Sequence, residues 1–155
     1  MKICKTLVIL VLMTIISGCG NKNNSAYEKA GIIANLDDDG SYAFLEMKYP
    51  ENVLVTTEHV YDAGIESSAA VQCEVYYYYN NEVKDLGTIE SLSTAYPLSF
   101  TEDAIWAGDN TGVKKYIIKK GELEETDAET GEYESSQVIH FGCGAADCVN
   151  SIIKK

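Results

Sequence analysis

From Gly31 onward, apolar and polar side chains alternate in short runs that Gly, Asn, Asp and Pro interrupt at close intervals. The clearest run is AAVQCEVYYYY, residues 69–79. A period of two places Val71, Cys73, Val75, Tyr77 and Tyr79 on one face and Gln72, Glu74, Tyr76 and Tyr78 on the other. Asn80-Asn81 follows as a two-residue hairpin turn, because Asn tolerates positive φ. The same reading predicts strands at residues 32–36, 41–47, 52–57, 82–86, 87–92, 104–107, 113–119, 122–125 and 137–141. Short helices are expected only at residues 24–30 and 145–155. Strands this close together leave no room for crossover helices. The expected fold is therefore mainly β, an antiparallel meander forming a small sandwich, an open barrel or propeller-blade-like sheets, with short terminal helices.

The start of the chain follows another logic. MKICKTLVILVLMTIISGC carries Lys2 and Lys5, then an apolar run from Leu7 to Ile16 broken only by Thr14. That run suits a signal peptide and is short for a membrane span, which needs about 20 residues. It ends in Ile16-Ser17-Gly18-Cys19, which resembles the bacterial lipobox: an aliphatic residue, two small residues, and the cysteine that receives lipid. The resemblance implies that residues 1–18 are a lipoprotein signal peptide. Cys19 would become the acylated first residue, and residues 19–30 a flexible tether before a single β-rich domain spanning 31–155. Two acyl chains are enough for stable anchoring where one is marginal. The expected location is the extracytoplasmic face of a cell membrane.

Composition narrows the picture. The chain has 155 residues and a formal charge of −12, and all 12 basic residues are Lys. Removing residues 1–18 leaves 137 residues; it takes away two lysines and no acid, so the charge becomes −14. An acidic chain without Arg lacks the phosphate-neutralising surface of a nucleic-acid binder. An apolar share of 46% is enough to bury a core, which argues against a disordered chain. The 11 tyrosines favour pleated, half-buried surfaces.

Three stretches carry a family resemblance: YAFLEMKYPENVLVTTEHVYDAG, VQCEVYYYYNNEVKDLGTIESLSTAYPLSFTEDAIWAG and VKKYIIKKGELEE. Together they are similar to a group of clostridial surface lipoproteins and cover roughly residues 42–125. The resemblance implies a surface lipoprotein with a β-rich fold; it implies no activity. The tail from Gln137 departs from that pattern.

Several clusters could carry chemistry. Asn35-Leu36-Asp37-Asp38-Asp39-Gly40, followed by five residues and Glu46, fits a calcium-loop template with Asn35, Asp37, Asp39 and Glu46 as oxygen ligands. The alternative is a solvated hairpin tip, for which Asp and Gly are equally suited. An extended segment 41–47 would carry Glu46 about 20 Å from the turn. Near the C-terminus, Cys143 and Cys148 could form a small disulfide in an exported protein or stay as free thiols. With Cys73 and His140 they could instead form a three-Cys, one-His zinc set. Tyr76, Tyr78 and Trp106 are candidate ligand contacts, since Tyr and Trp present flat amphipathic surfaces to a glycan or protein. The alternative is that these rings cover the second face of a sheet.

No nucleophile or metalloprotease motif is present, and acid pairs among 24 carboxylates carry no information. The expected function is a non-enzymatic binding or structural module of the envelope. Two alternatives remain open: a calcium-dependent adhesion or stability module, and an acidic inhibitor of a basic enzyme such as lysozyme.

Overall fold

The computed structural model describes residues 24–63, 68–129, 131–142 and 149–151. A short helix, α1 (Asn24–Lys29), and a 3-10 turn, η1 (Ile33–Asn35), precede the strands β1 (Ser41–Glu46), β2 (Val53–Thr57), β3 (Tyr61–Asp62) and β4 (Ser68–Ala69). Then come β5 (Gln72–Tyr79), β6 (Glu82–Glu90), β7 (Ser99–Phe100), β8 (Ile105–Asp109), β9 (Gly112–Lys119) and β10 (Glu122–Thr126). A second 3-10 turn, η2 (Tyr133–Ser135), leads to β11 (Gln137–Val138) and β12 (Val149–Ser151).

Two five-stranded sheets result, ordered β12-β1-β2-β5-β6 and β10-β9-β8-β7-β11, with β3 and β4 as a separate two-stranded ladder. Ala43, Leu45, Val53, Val55, Val75 and Ile89 of the first sheet form one buried cluster with Phe100, Ile105 and Ala107 of the second, joined by Leu98 and Ile139. Two antiparallel sheets sharing one core are a small β-sandwich, one of the three expected architectures. Among the described strands, one pairing departs from the antiparallel pattern: β12 runs parallel to β1, with Phe44 opposite Val149. The segment expected to end in a helix thus contributes a strand.

Local turn chemistry explains the hairpins. Asn80 and Asn81 take φ of 52° and 68°, and Lys120 and Gly121 take 54° and 77°. Both pairs are two-residue loops with two positive φ angles, whose twist matches that of the flanking strands. Residues 82–86 and 87–92, expected as two strands, form the single strand β6 up to Glu90. Its pairing with β5 slips between Val75 and Tyr76, leaving Leu86 as the extra residue beside Gly87, whose φ is 101°. The Asp85 carboxylate accepts the Gly87 N–H at 2.9 Å.

Around Tyr42, Phe44 and Leu54 the first sheet is apolar on both faces. β2 is buried along its whole length, and Tyr42, Phe44 and Leu54 point away from the main core. They form a second cluster with fully buried Tyr27 of α1, and Ile32, Ile33 and Leu36 pack on it. Residues 32–36 are therefore not a strand. They make one 3-10 turn that lays apolar side chains on the outer face of the sheet, next to Tyr27 of α1.

Candidate functional site

The arm that covers the outer face leaves a cleft beside it. Ala30, Ile32, Asn35, Leu36, Asp37 and Gly40 form one wall. Residues 56–59 at the end of β2, residues 71–74 and Tyr76 form the other, around a volume of about 460 Å³. This size falls within the range of small-molecule sites. Gly40 donates its N–H to the Asp37 carbonyl at 2.8 Å, closing a tight turn. A Cβ at Gly40 would lie 3.0 Å from both that carbonyl oxygen and Leu36 Cβ, so the turn keeps its shape only with a very small residue there. Opposite, the Thr57 hydroxyl donates to the His59 carbonyl at 3.1 Å and accepts the His59 N–H at 3.3 Å, fixing the Glu58-His59 corner.

Charge in the cleft is one-sided. Asp37, Glu58 and Glu74 line it, and among the described residues its lining includes no lysine. Tyr76 donates its phenol to the Glu74 carboxylate at 2.6 Å. Burial, then the hydrogen bond to Glu74 and its negative charge, push the Tyr76 phenol well above its usual range, so it stays a neutral donor at physiological pH.

Three residues singled out from the sequence, Asn35, Asp37 and Tyr76, thus meet in one cleft, although sequence reasoning assigns them to different sites. Of the four expected calcium ligands, Asn35 and Asp37 line the cleft. The aspartate turn links η1 to β1 and is no hairpin tip, and β1 carries Glu46 away along an extended strand. Among the described residues, no group of three or more His, Cys, Asp or Glu is placed to hold a metal ion.

Tyr78 lies half-buried against the Tyr27 cluster, and its N–H donates to the Tyr27 hydroxyl at 3.0 Å. Trp106, a candidate ligand contact in the sequence, is fully buried. Its indole N–H donates to the Thr101 hydroxyl at 3.1 Å, the ring of Tyr133 meets it edge-on at 6.0 Å, and the Lys115 ammonium lies 5.5 Å over its ring. It covers the outer face of the second sheet and is not available as an exposed ligand contact. Cys73 is buried in the main core, where burial first and the nearby Glu74 charge second push its thiol up to about 12. His140 is exposed. Cys19, Cys143 and Cys148 lie outside the described residues.

The most exposed aromatic ring among the described residues is Tyr49, 73% exposed. With Lys48, Pro50, Glu51, Tyr77 and Ile118 it lines a shallow groove of about 370 Å³. The sequence holds a signal for it: Lys-Tyr-Pro-Glu is a polar turn without alternation, where a ring has no sheet face to join.

No protein-family model matches the chain, and it has no match among curated proteins or solved structures.

Proposed function

We propose that this chain is a membrane-anchored surface lipoprotein whose β-sandwich is a non-enzymatic binding domain. Its ligand site is the cleft between the N-terminal arm and strands β2 and β5, and the group it fits is an alkylammonium. The observation that carries this reading is the lining itself: three carboxylates and a neutral phenol around about 460 Å³, with apolar Ile32, Leu36 and Val71 beside them. Carboxylates supply charge-assisted acceptors, and the aliphatic walls suit the methylene stem behind an ammonium. A free amine and a lysine side chain of a basic protein share this chemistry, so the same cleft accommodates the reading as an inhibitor of a basic enzyme. The charge of −14 on the chain from Cys19 onward would speed encounter with either, at a rate that falls with salt. Anchoring rests on the lipobox at Cys19.

The test has two arms. Titration of the domain from residue 20 with cadaverine, followed by NMR, should show saturable shifts around Tyr76 and Asp37. Glu74→Gln and Asp37→Asn should weaken them, while Glu124→Gln on β10 should not. Titration with lysozyme then separates a protein partner from a free amine. If neither probe gives saturable shifts at the cleft, the ligand reading fails. Radiolabelled lipid precursor should enter the wild-type chain and not Cys19→Ala; equal labelling of both would remove the anchor.

A further inference from the structure

If Cys19 is lipidated, the folded domain begins close to the membrane. Gly20 to Asn23 are the only residues between Cys19 and Asn24, the first residue of α1. An extended chain covers at most ~3.6 Å per residue, so five steps keep Asn24 within about 18 Å of the lipidated cysteine whatever path they take. Asn24 is not free to swing away from the domain. Its side-chain oxygen accepts from the Asn52 amide at 3.3 Å, and fully buried Tyr27, in the same short helix, donates its hydroxyl to the Asn52 carbonyl at 2.8 Å. The loop between β1 and β2 is thereby tied to the point where the chain arrives from the bilayer.

That loop carries Tyr49, the most exposed large hydrophobic side chain among the described residues. Lys48 and Pro50 flank it, and the groove it lines continues onto Tyr77 and Ile118. A phenol ring has an apolar body and a polar tip, the combination that partitions into the headgroup layer, and a lysine beside it can lay its stem on the same layer. Glu51 and Glu102 border the patch, the latter 3.9 Å from the Lys48 ammonium, so a zwitterionic layer suits it better than an anionic one.

We propose that the Tyr49 loop rests in the lipid headgroup layer, fixing which end of the sandwich faces the membrane. This rests on the lipoprotein reading above. The test uses the full lipidated chain reconstituted in phosphatidylcholine vesicles that carry a shallow acyl-chain quencher. Tyr49→Trp is compared with Asn110→Trp, which sits just past β8, at the opposite end of that strand from Glu102. The wild type supplies the baseline, since its Trp106 is fully buried. Emission from the Tyr49→Trp protein should shift to the blue and lose intensity on reconstitution, while emission from the Asn110→Trp protein and the wild type should not. If the protein floats with the vesicles but Tyr49→Trp is quenched no more than Asn110→Trp, the membrane seat is wrong and the anchor stands. If it does not float, both fall.

Discussion

The Lys115 ammonium lies 2.7 Å from the Glu132 carboxylate. Lys115 is on β9, and Glu132 is on the segment that brings Tyr133 over Trp106. Lys115 is largely shielded from solvent, and it also approaches Asp103 at 3.8 Å. The pair therefore closes the cover on the outer face of the second sheet.

The pair makes stability depend on pH. The hydrogen bond from Lys115 holds the Glu132 carboxyl below its usual range. A lowered folded-state pKa gives stability that is present above the unfolded value of about 4.3 and is lost as pH falls through the folded value. The hydrogen bond to Glu132 raises the Lys115 pKa, so its contribution is complete below about 10.4 and fades as pH rises through the higher folded value. Glu132→Gln should lower the melting temperature at neutral pH and flatten the acid limb of the stability curve. Equal acid limbs in the two proteins would show that the pair contributes nothing.

Tyr27 is the main pin of the N-terminal arm. Its hydroxyl donates to the Asn52 carbonyl and accepts from Tyr78 N–H, within a site with no exposed surface. Tyr27→Phe leaves both backbone groups without this partner and should cost about 1–3 kcal/mol. Tyr27→Ala also removes the ring and should cost about 3–5 kcal/mol. Urea unfolding should show lower midpoints, and unchanged slopes would place the effect in stability itself.

The parts of this fold that are legible from sequence are those where local chemistry decides. Asn80-Asn81 and the alternation through Val75 and Tyr77 carry their own instructions, because turn type and face are set within a few residues. Ile32 to Leu36 mislead because a short apolar run reads alike as a strand or as a covering turn. Only the apolar outer face formed by Tyr42, Phe44 and Leu54 decides between them. Trp106 is similar: its cover, Tyr133, arrives from 27 positions later. β12 pairs with β1 across roughly a hundred residues, a distance no local pattern encodes. In the cleft, the residue types are visible in the sequence but their grouping is not. Sequence spacing joins Asp37 to Glu46, and residue type joins Tyr76 to Trp106, whereas the fold brings Asp37 to Tyr76.

The Cys73 thiol should be silent in the native state. Its pKa, raised to about 12, leaves almost no thiolate near neutral pH, and the group is buried in the main core. In the domain from residue 20 with Cys143 and Cys148 replaced by Ser, an aromatic disulfide reagent should react only at the rate of opening. It should react at once in denaturant. Rapid stoichiometric labelling without denaturant would contradict the burial.

Calcium should leave the domain unmoved. β1 begins one residue after Gly40, so Glu46 stands about 20 Å along the strand from the turn. The expected result is the same melting temperature in millimolar calcium and in chelator. A rise would mean that Asp37 and Asp39 recruit ligands other than Glu46.

Gly121 and Tyr79 couple the tips of two hairpins, one from each sheet. A Cβ on Gly121 would lie 2.6 Å from Tyr79 Cδ1 and 2.9 Å from its Cγ, and the glycine holds φ at +77°. Gly121→Ala therefore carries two costs: left-handed backbone strain of about 1–2 kcal/mol, and displacement of the Tyr79 ring, which stacks on Tyr77 at 6.2 Å and lies 5.3 Å beneath the Lys84 ammonium. A double-mutant cycle separates them. Tyr79→Ala removes the obstacle but not the strain, so Gly121→Ala should cost less in that background than in the wild type. The strain cost should persist in both. Strictly additive effects, read from chemical unfolding of the four proteins, would mean that the two tips do not press on each other.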